Sequence, residues 1–191
     1  SLKFFNKGLE IREFLNDSNA IASSWNRIGM VLREMKKYNE SLESYFRSLD
    51  IRMSNNQTAA IQWTLLGLAS TYEKMKKFPE SLEYYEQGAG DGDRRCILQC
   101  LLGAGRVESH MGFSGEAEVK LRKALMLAEE LKSHALLAEA HLALANHYEI
   151  NKQPQKAIIS FRQYLKSREV CQSREMQNRL SSIEVEHAIE K

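Results

Sequence analysis

The sequence is short of proline, cysteine and long apolar runs. Two prolines in 191 residues, with β-branched side chains also sparse, place little in the way of helix and favour it throughout. Three cysteines are an odd number and do not form a disulfide framework. Cys96 and Cys100 lie four apart on one predicted helix and Cys171 is remote, so all three read as reduced thiols of a cytoplasmic protein. No apolar run approaches the roughly 20 residues that span a bilayer, and no signal peptide opens the chain. Charge of one sign is also lacking. Lys and Arg total 27 against 25 Asp and Glu, interspersed, for a net +2, which supplies no basic patch for nucleic acid or an anionic membrane.

Catalytic and metal motifs are missing as well. His110, His134, His141, His147 and His187 are scattered, and neither His-Glu-x-x-His nor paired Cys-x-x-Cys occurs. The turn at 88–92 is glycine-rich but is not followed by Lys-Ser/Thr and does not leave a strand, so it reads as an interhelical turn. No acid–base pair or nucleophile set stands out. The expectation is a non-enzyme without cofactor or metal.

What the chain has is a phrase used twice. Met35-Lys36-Lys37-Tyr38-Asn39-Glu40-Ser41-Leu42-Glu43 returns forty residues later as Met75-Lys76-Lys77-Phe78-Pro79-Glu80-Ser81-Leu82-Glu83. Tyr45 and Tyr85 continue the match. A repeat of this length marks stacked supersecondary units, none of which buries its apolar face alone. An apolar fraction of 43% is enough for a continuous core.

Taken in order, residues 1–15 read as a helix with Leu2, Phe5, Leu9 and Leu15 on its apolar side. Asn16-Asp17-Ser18-Asn19 is a turn and cap cluster. A helix over about 19–34 then carries Trp25, Ile28, Gly29 and Leu32 on one face, and one over 38–54 carries Leu42, Tyr45, Phe46, Leu49 and Met53. After Asn55-Asn56-Gln57, a helix over 57–74 presents Leu65, Leu68, Ala69 and Tyr72. Its partner opens at Pro79 and is stopped by the glycines at 88, 90 and 92. A third pair, 94–111 and 114–131, places Leu101, Ala104 and Gly105 inward, then Ala117, Leu121, Ala124 and Leu125, with Gly112 as a C-terminal cap. The fourth has Leu144, Ala145 and Tyr148, then Ala157, Ile158, Phe161 and Leu165 after Pro154. A last amphipathic helix, about 173–190, has Met176, Leu180, Ile183 and Ile189.

Small residues set the register. Gly29, Ala69, Gly105 and Ala145 correspond in the first helix of each pair, and Ser41, Ser81, Ala117 and Ala157 in the second. Both series step by 40, 36 and 40, and the large residue one turn on (Tyr45, Tyr85, Leu121, Phe161) fills the space beside the contact.

These residues resemble the tetratricopeptide repeat family in its long, roughly 40-residue form, familiar from bacterial signalling proteins and scaffolds. The resemblance covers nearly the whole chain as one array: a partial repeat 1–18, repeats 19–56, 57–93, 94–133 and 134–172, and a trailing helix 173–191. Both ends fall inside periodic patterns, so the sequence reads as a piece of a longer protein. The resemblance implies an all-α, right-handed superhelical solenoid of antiparallel helix pairs, with the first helix of each pair lining a concave groove.

By that resemblance a second stripe on the first helices faces the groove. Its candidate partner-binding residues are Asn26, Met30 and Arg33, then Trp63, Leu66 and Ser70, then Gln99, Leu102 and Arg106, and Asn146. Apolar anchors mixed with hydrogen-bonding groups suit a peptide or helix, and this reading is preferred to the alternative that Leu66, Leu102 and Leu142 pack against neighbouring helices. The Lys, Asn and Arg set with which some family members hold acidic chaperone tails is not supplied by Asn26, Met30, Gly67 and Gln99. The implied function is a protein–protein interaction module, a scaffold or adaptor that binds a peptide, helix or partner domain, with self-association through the terminal helices as a further expectation. The alternative is a sensing domain that controls an attached kinase or cyclase in signal transduction, coupled through the helix at 179–191.

Overall fold

In a computed structural model, the sequence breaks that fall on described residues, all but the last, become turns between helices. The structure describes residues 2–55 and 58–189, with side chains over 7–55 and 60–177. Among them run α1 (Leu2–Phe14), α2 (Ser18–Glu34), α3 (Tyr38–Ser54), α4 (Thr58–Lys74), α5 (Phe78–Gly88), α6 (Arg94–Met111), α7 (Ser114–Glu130), α8 (His134–Ile150) and α9 (Pro154–Ile189), and no strand. The predicted side-chain roles of Leu2, Phe5, Leu180, Ile183 and Ile189, and the start at Gln57, lie outside the described residues. The chain divides within α7 into two units, Ser1–Lys120 and Leu121–Lys191.

The turns repeat a single device. Lys36, Lys76, Gly112 and Lys152 each come one or two residues after a first helix and sit at φ 61, 60, 88 and 55°. The next amide reaches back to the carbonyl five residues earlier: Lys37 to Leu32 (2.9 Å), Lys77 to Tyr72 (3.0 Å), Phe113 to Glu108 (2.9 Å) and Gln153 to Tyr148 (2.8 Å). This is the Schellman closure, which satisfies carbonyls left over at the helix end. The repeated Met-Lys-Lys phrase is therefore a turn whose middle lysine takes a left-handed conformation.

In the first unit α2 pairs with α3 and α4 with α5, while α1 packs on α2 and α5 on α6. The small residues meet as expected, and they do more than leave space. Ser41 Oγ donates to the Gly29 carbonyl at 2.7 Å, and Ser81 Oγ to the Ala69 carbonyl at 2.9 Å. Each buried hydroxyl thus finds its partner in the facing backbone. Above these contacts Tyr45 and Tyr85 are closed off by the next pair. A Cβ on Gly67 of α4 would lie 2.3 Å from the Tyr45 ring, and one on Gly103 of α6 would lie 2.2 Å from the Tyr85 ring. Only glycine lets the next helix come that near.

The glycine-rich turn after α5 is pinned by a side chain that the sequence did not single out. Buried Gln62 donates from Nε2 to the carbonyls of Gly90 (3.1 Å) and Asp91 (3.0 Å) and accepts from the Asp93 amide (3.0 Å). Asp93 then caps α6, its Oδ1 accepting from the amides of Arg95 (2.8 Å) and Cys96 (2.9 Å).

In the second unit α8 packs along α9, with Leu144, Ala145 and Tyr148 buried as expected. Leu121, Ala124 and Ala128 of α7 are buried too. Two expectations fail here. The break near 172 is absent, because residues 155–189 contain neither glycine nor proline and α9 continues through it for 36 residues in all. The buried side of α9 is also different: Ser160 is buried and Tyr164, Ser167 and Cys171 half-buried, whereas Ile158, Phe161 and Leu165 are exposed. Periodicity finds a helix face but not which neighbour covers it. The same limit applies to Leu15, Phe46 and Met53, which are exposed at helix ends and edges.

Candidate functional site

The first helices of three successive pairs, α2, α4 and α6, lie side by side in the first unit. They bring together nine of the ten sequence-predicted site residues. Asn146, on α8, belongs to the second unit.

On α2, Met30 is 46% exposed. Asn26 is half-buried, and its Oδ1 is buried without a hydrogen-bond partner. Arg33 is half-buried and touches Glu34 of its own helix at 3.3 Å. On α4, Trp63 stands 39% exposed while its neighbours Leu65 and Leu68 are buried. The indole is therefore off the core face, as its spacing predicts. Leu66, one turn along, is half-buried and packs against the buried cluster around Tyr85.

The α4–α6 end is a polar knot turned inward. Tyr85 Oη donates to Glu73 Oε2 at 2.5 Å and lies 3.2 Å from Ser70 Oγ. Arg106 clamps the same carboxylate through Nε (3.1 Å) and Nη2 (3.0 Å). Burial by itself pushes the Glu73 carboxyl up. The Arg106 hydrogen bonds and charge, with the Tyr85 hydroxyl, outweigh it and hold the carboxyl below the ordinary carboxylate range. Burial, reinforced by the Glu73 charge, pushes the Tyr85 hydroxyl well up, so it stays protonated and donates.

This knot corrects two expectations. Arg106 is engaged bidentately inside its own chain and is not offered to the acidic groups of a guest, and Ser70 is likewise occupied. Leu102, only 1% exposed, is a core residue. It takes the interhelical packing option, being closed off from solvent. Gln99 on α6 is half-buried and already engaged with its surroundings. What remains accessible on this face is Met30 and Trp63, with Arg33 half-buried, while the Asn26 amide oxygen is closed off.

A second concavity of about 460 Å³ lies between α1, α2 and α3, with Trp25, Ile28 and Leu32 at its base and Glu10, Glu13, Glu40 and Glu43 among its lining. Arg47 lies over the Trp25 ring, 4.6 Å from its centroid, and pairs with Glu43 at 2.6 Å. The sequence gives this spot no distinctive signal, because its carboxylates come from two separate helices. In the second unit Asn146 is exposed and lines a groove of about 800 Å³ with Ala145, Ala157, Ile158 and Phe161.

Two of the histidines and two of the cysteines are used in packing. His110 stacks on Phe78 with centroids 5.8 Å apart, and His147 is buried edge-on to Tyr148 at 5.3 Å. Cys96 and Cys100 are buried free thiols, and the Cys96 contact, with burial next in weight, pushes the Cys100 thiol well up, away from reactivity. No group of three His, Cys, Asp or Glu side chains among the described residues could hold a metal ion, and none of the described helices is long and apolar enough to cross a membrane.

Residues 20–89 match the model of the tetratricopeptide repeat family, and residues 82–153 that of anaphase-promoting complex subunit 5. Comparison with curated proteins gives no significant match. Among solved structures the chain is similar to BtubC (BKLC) from P. vanneervenii, with 16% identity, a TM-score of 0.76, and coverage of 89% of this chain and 72% of that one. It is also similar to a putative kinesin light chain from Podosopora anserina with nearly identical TPR-like repeats, at 16% identity and a TM-score of 0.66, covering 90% of this chain and 87% of that one. The apo form of RapI gives 20% identity and a TM-score of 0.68 over 90% of this chain, which spans 47% of RapI. At these identities the likeness shows the fold. Residues 20–89 are tetratricopeptide repeats by sequence, and the tetratricopeptide-repeat fold extends over about nine-tenths of the chain.

Proposed function

We propose that the chain is a protein-interaction module that receives a peptide, a helix or part of a partner domain on the α2–α4–α6 face. The observation that carries this reading is Trp63, a large ring left 39% exposed beside a helix that leaves Met30 46% exposed. Both are costly to keep in water and well suited to covering a guest side chain. The polar groups around them fit a polypeptide. Arg33, which touches the exposed Glu34 at 3.3 Å, can meet a guest carboxylate. Arg106 and Ser70 serve the face by fixing Tyr85 and Glu73 beneath it. Three free cysteines, two of them buried, support a reducing, cytoplasmic setting.

The test uses a displayed library of random 12-residue peptides. Binders selected on the native chain should lose about 30-fold in affinity on Trp63→Ala, the roughly 2 kcal/mol of a hot spot, with the melting temperature unchanged. Lower stability with intact affinity would assign Trp63 to packing and place the site elsewhere.

A further inference from the structure

The groove between α1, α2 and α3 has a counterpart one repeat further on, and the two are filled differently. In the counterpart, Leu49 of α3, Leu68 and Tyr72 of α4 and Tyr84 of α5 pack in one cluster. Tyr84 stacks on Tyr72 with centroids 5.5 Å apart and an interplanar angle of 2°, and it meets Phe46 edge-on at 6.3 Å. Rings in these arrangements attract one another beyond the area they bury. The second helix of that pair thus lays a ring across the first.

A step of forty residues, the step that matches Met35–Glu43 to Met75–Glu83, carries this cluster back to the first groove. Leu49 becomes Leu9, Leu68 becomes Ile28, Tyr72 becomes Leu32 and Tyr84 becomes Ser44. The structure keeps that register, because Leu9, Ile28 and Leu32 pack in one cluster as their counterparts do. Ser44 does not replace the ring. Its hydroxyl turns back to the Glu40 carbonyl at 2.9 Å, and the concavity of about 460 Å³ lies beside it. That volume is within the range of sites that hold a ligand group.

Charge says what accompanies the ring. Glu10 and Glu13 of α1 and Glu40 and Glu43 of α3 line the groove, and Arg47 is the cation among its lining. Glu43 is met by Arg47 at 2.6 Å and Glu40 by Lys37 at 3.0 Å, while Glu10 and Glu13 stand exposed. The Arg47 guanidinium also lies 4.6 Å from the centroid of the Trp25 ring. The groove therefore already seats one cation between an aromatic face and a carboxylate, an arrangement that attracts on both counts. Its excess of carboxylates complements a positively charged guest.

We propose that this groove is a second docking site, on another side of α2 from Met30, and that its occupant is a peptide segment with one aromatic side chain flanked by Lys or Arg. The guest ring takes the place that Tyr84 fills one repeat on, against Ile28 and Leu32. The flanking cations meet Glu10 and Glu13 on α1 and the carboxylates of α3. The ring supplies the fit and the charges supply the choice of partner.

The probe is the acetylated and amidated peptide Lys-Lys-Phe-Lys-Lys, titrated to millimolar concentration into the isotope-labelled whole chain. The chain has two tryptophans, so the indole N–H resonance of Trp25 reports on this groove and that of Trp63 on the α2–α4–α6 face. The Trp25 resonance should shift saturably and the Trp63 resonance should stay in place. The same peptide with Leu for Phe should bind several-fold more weakly, and one with Glu for every Lys should not bind. Ser44→Tyr supplies the ring from within and should abolish the shift without lowering the melting midpoint. Glu10→Gln with Glu13→Gln, both at exposed positions, should weaken binding about 5-fold with the fold intact. A Trp25 resonance that does not move, a shift confined to Trp63, a leucine peptide that binds equally well, or binding that survives Ser44→Tyr would each overturn the proposal. If Ser44→Tyr fails to fold, the leucine peptide and the glutamine pair decide, and undiminished affinity in either would overturn it.

Discussion

Tyr85 and Phe161 occupy the same place in two repeats and have opposite fates. Tyr85 is wholly buried, held by Glu73 and Ser70 below and capped by Gly103. Phe161 is 46% exposed beside an open groove. The residues under the two rings are alike: Ser81 faces Ala69, and Ala157 stands at the register of Ala145. The difference lies in what is set against each ring: Tyr85 has Gly103 of α6 laid on it, and Phe161 borders the open groove. In a repeat protein a pair supplies half of each core, and the neighbour supplies the rest.

The comparison can be broken most forcefully at the two rings. Tyr85→Ala should cost about 3–5 kcal/mol, the usual loss for a fully buried aromatic. Phe161→Ala, measured in dilute chain by urea denaturation, should cost about 1 kcal/mol, because little of its area is removed from water on folding. Equal costs would mean that the groove is closed within one chain. Gly103→Ala acts on the cap and not on the ring. Its new Cβ would lie 2.2 Å from a ring fixed by hydrogen bonds, and overpacking of this kind should cost about 1–3 kcal/mol. Gly115→Ala, where a Cβ meets nothing within 4 Å, serves as the neutral reference. The smallest effect should come from the turns. Lys36 stands at φ 61°, a conformation that costs an L side chain roughly 1–2 kcal/mol. Lys36→Gly should therefore raise stability by about 0.5–1 kcal/mol, after the extra entropy that glycine loses on folding. A drop in the melting midpoint would show that the lysine side chain holds the turn in some other way.

Much of this fold was legible because local signals agree with the repeat. The ends of α3 and α6, the Gly112 cap and the Asp17 turn are set by residues within a few positions of each other, and the Ser41–Gly29 and Ser81–Ala69 contacts by register. Long-range partners were not legible. Gln62 reaches a turn 28 to 31 residues away, and Arg106 reaches Glu73 across 33. Neither leaves a trace in local spacing. On the candidate face, Trp63 and Met30 were readable as apolar residues off the core stripe. Leu102 was misassigned because a helix covered on two sides has apolar residues on both, and periodicity alone does not say which side a guest would see. Ile158 and Phe161 were read as core for the related reason that periodicity finds an apolar face and not what lies against it.

Gln62 has a consequence for how this chain can change. Exposed glycine-rich turns are ordinarily where proteins accept extra residues, and the turn after α5 carries Gly90 and Gly92. Here its backbone is held at three points by one buried amide, and a Cβ on Gly92 would fall 2.2 Å from Gln62 Oε1. Lengthening the turn would pull the carbonyls of Gly90 and Asp91 off that amide and leave it buried and unpaired, at a cost of about 1–3 kcal/mol for each lost partner. The 36-residue step, Gln62 and Gly92 are thus physically coupled. A relative that restores the 40-residue spacing at this point should be expected to have changed all three together.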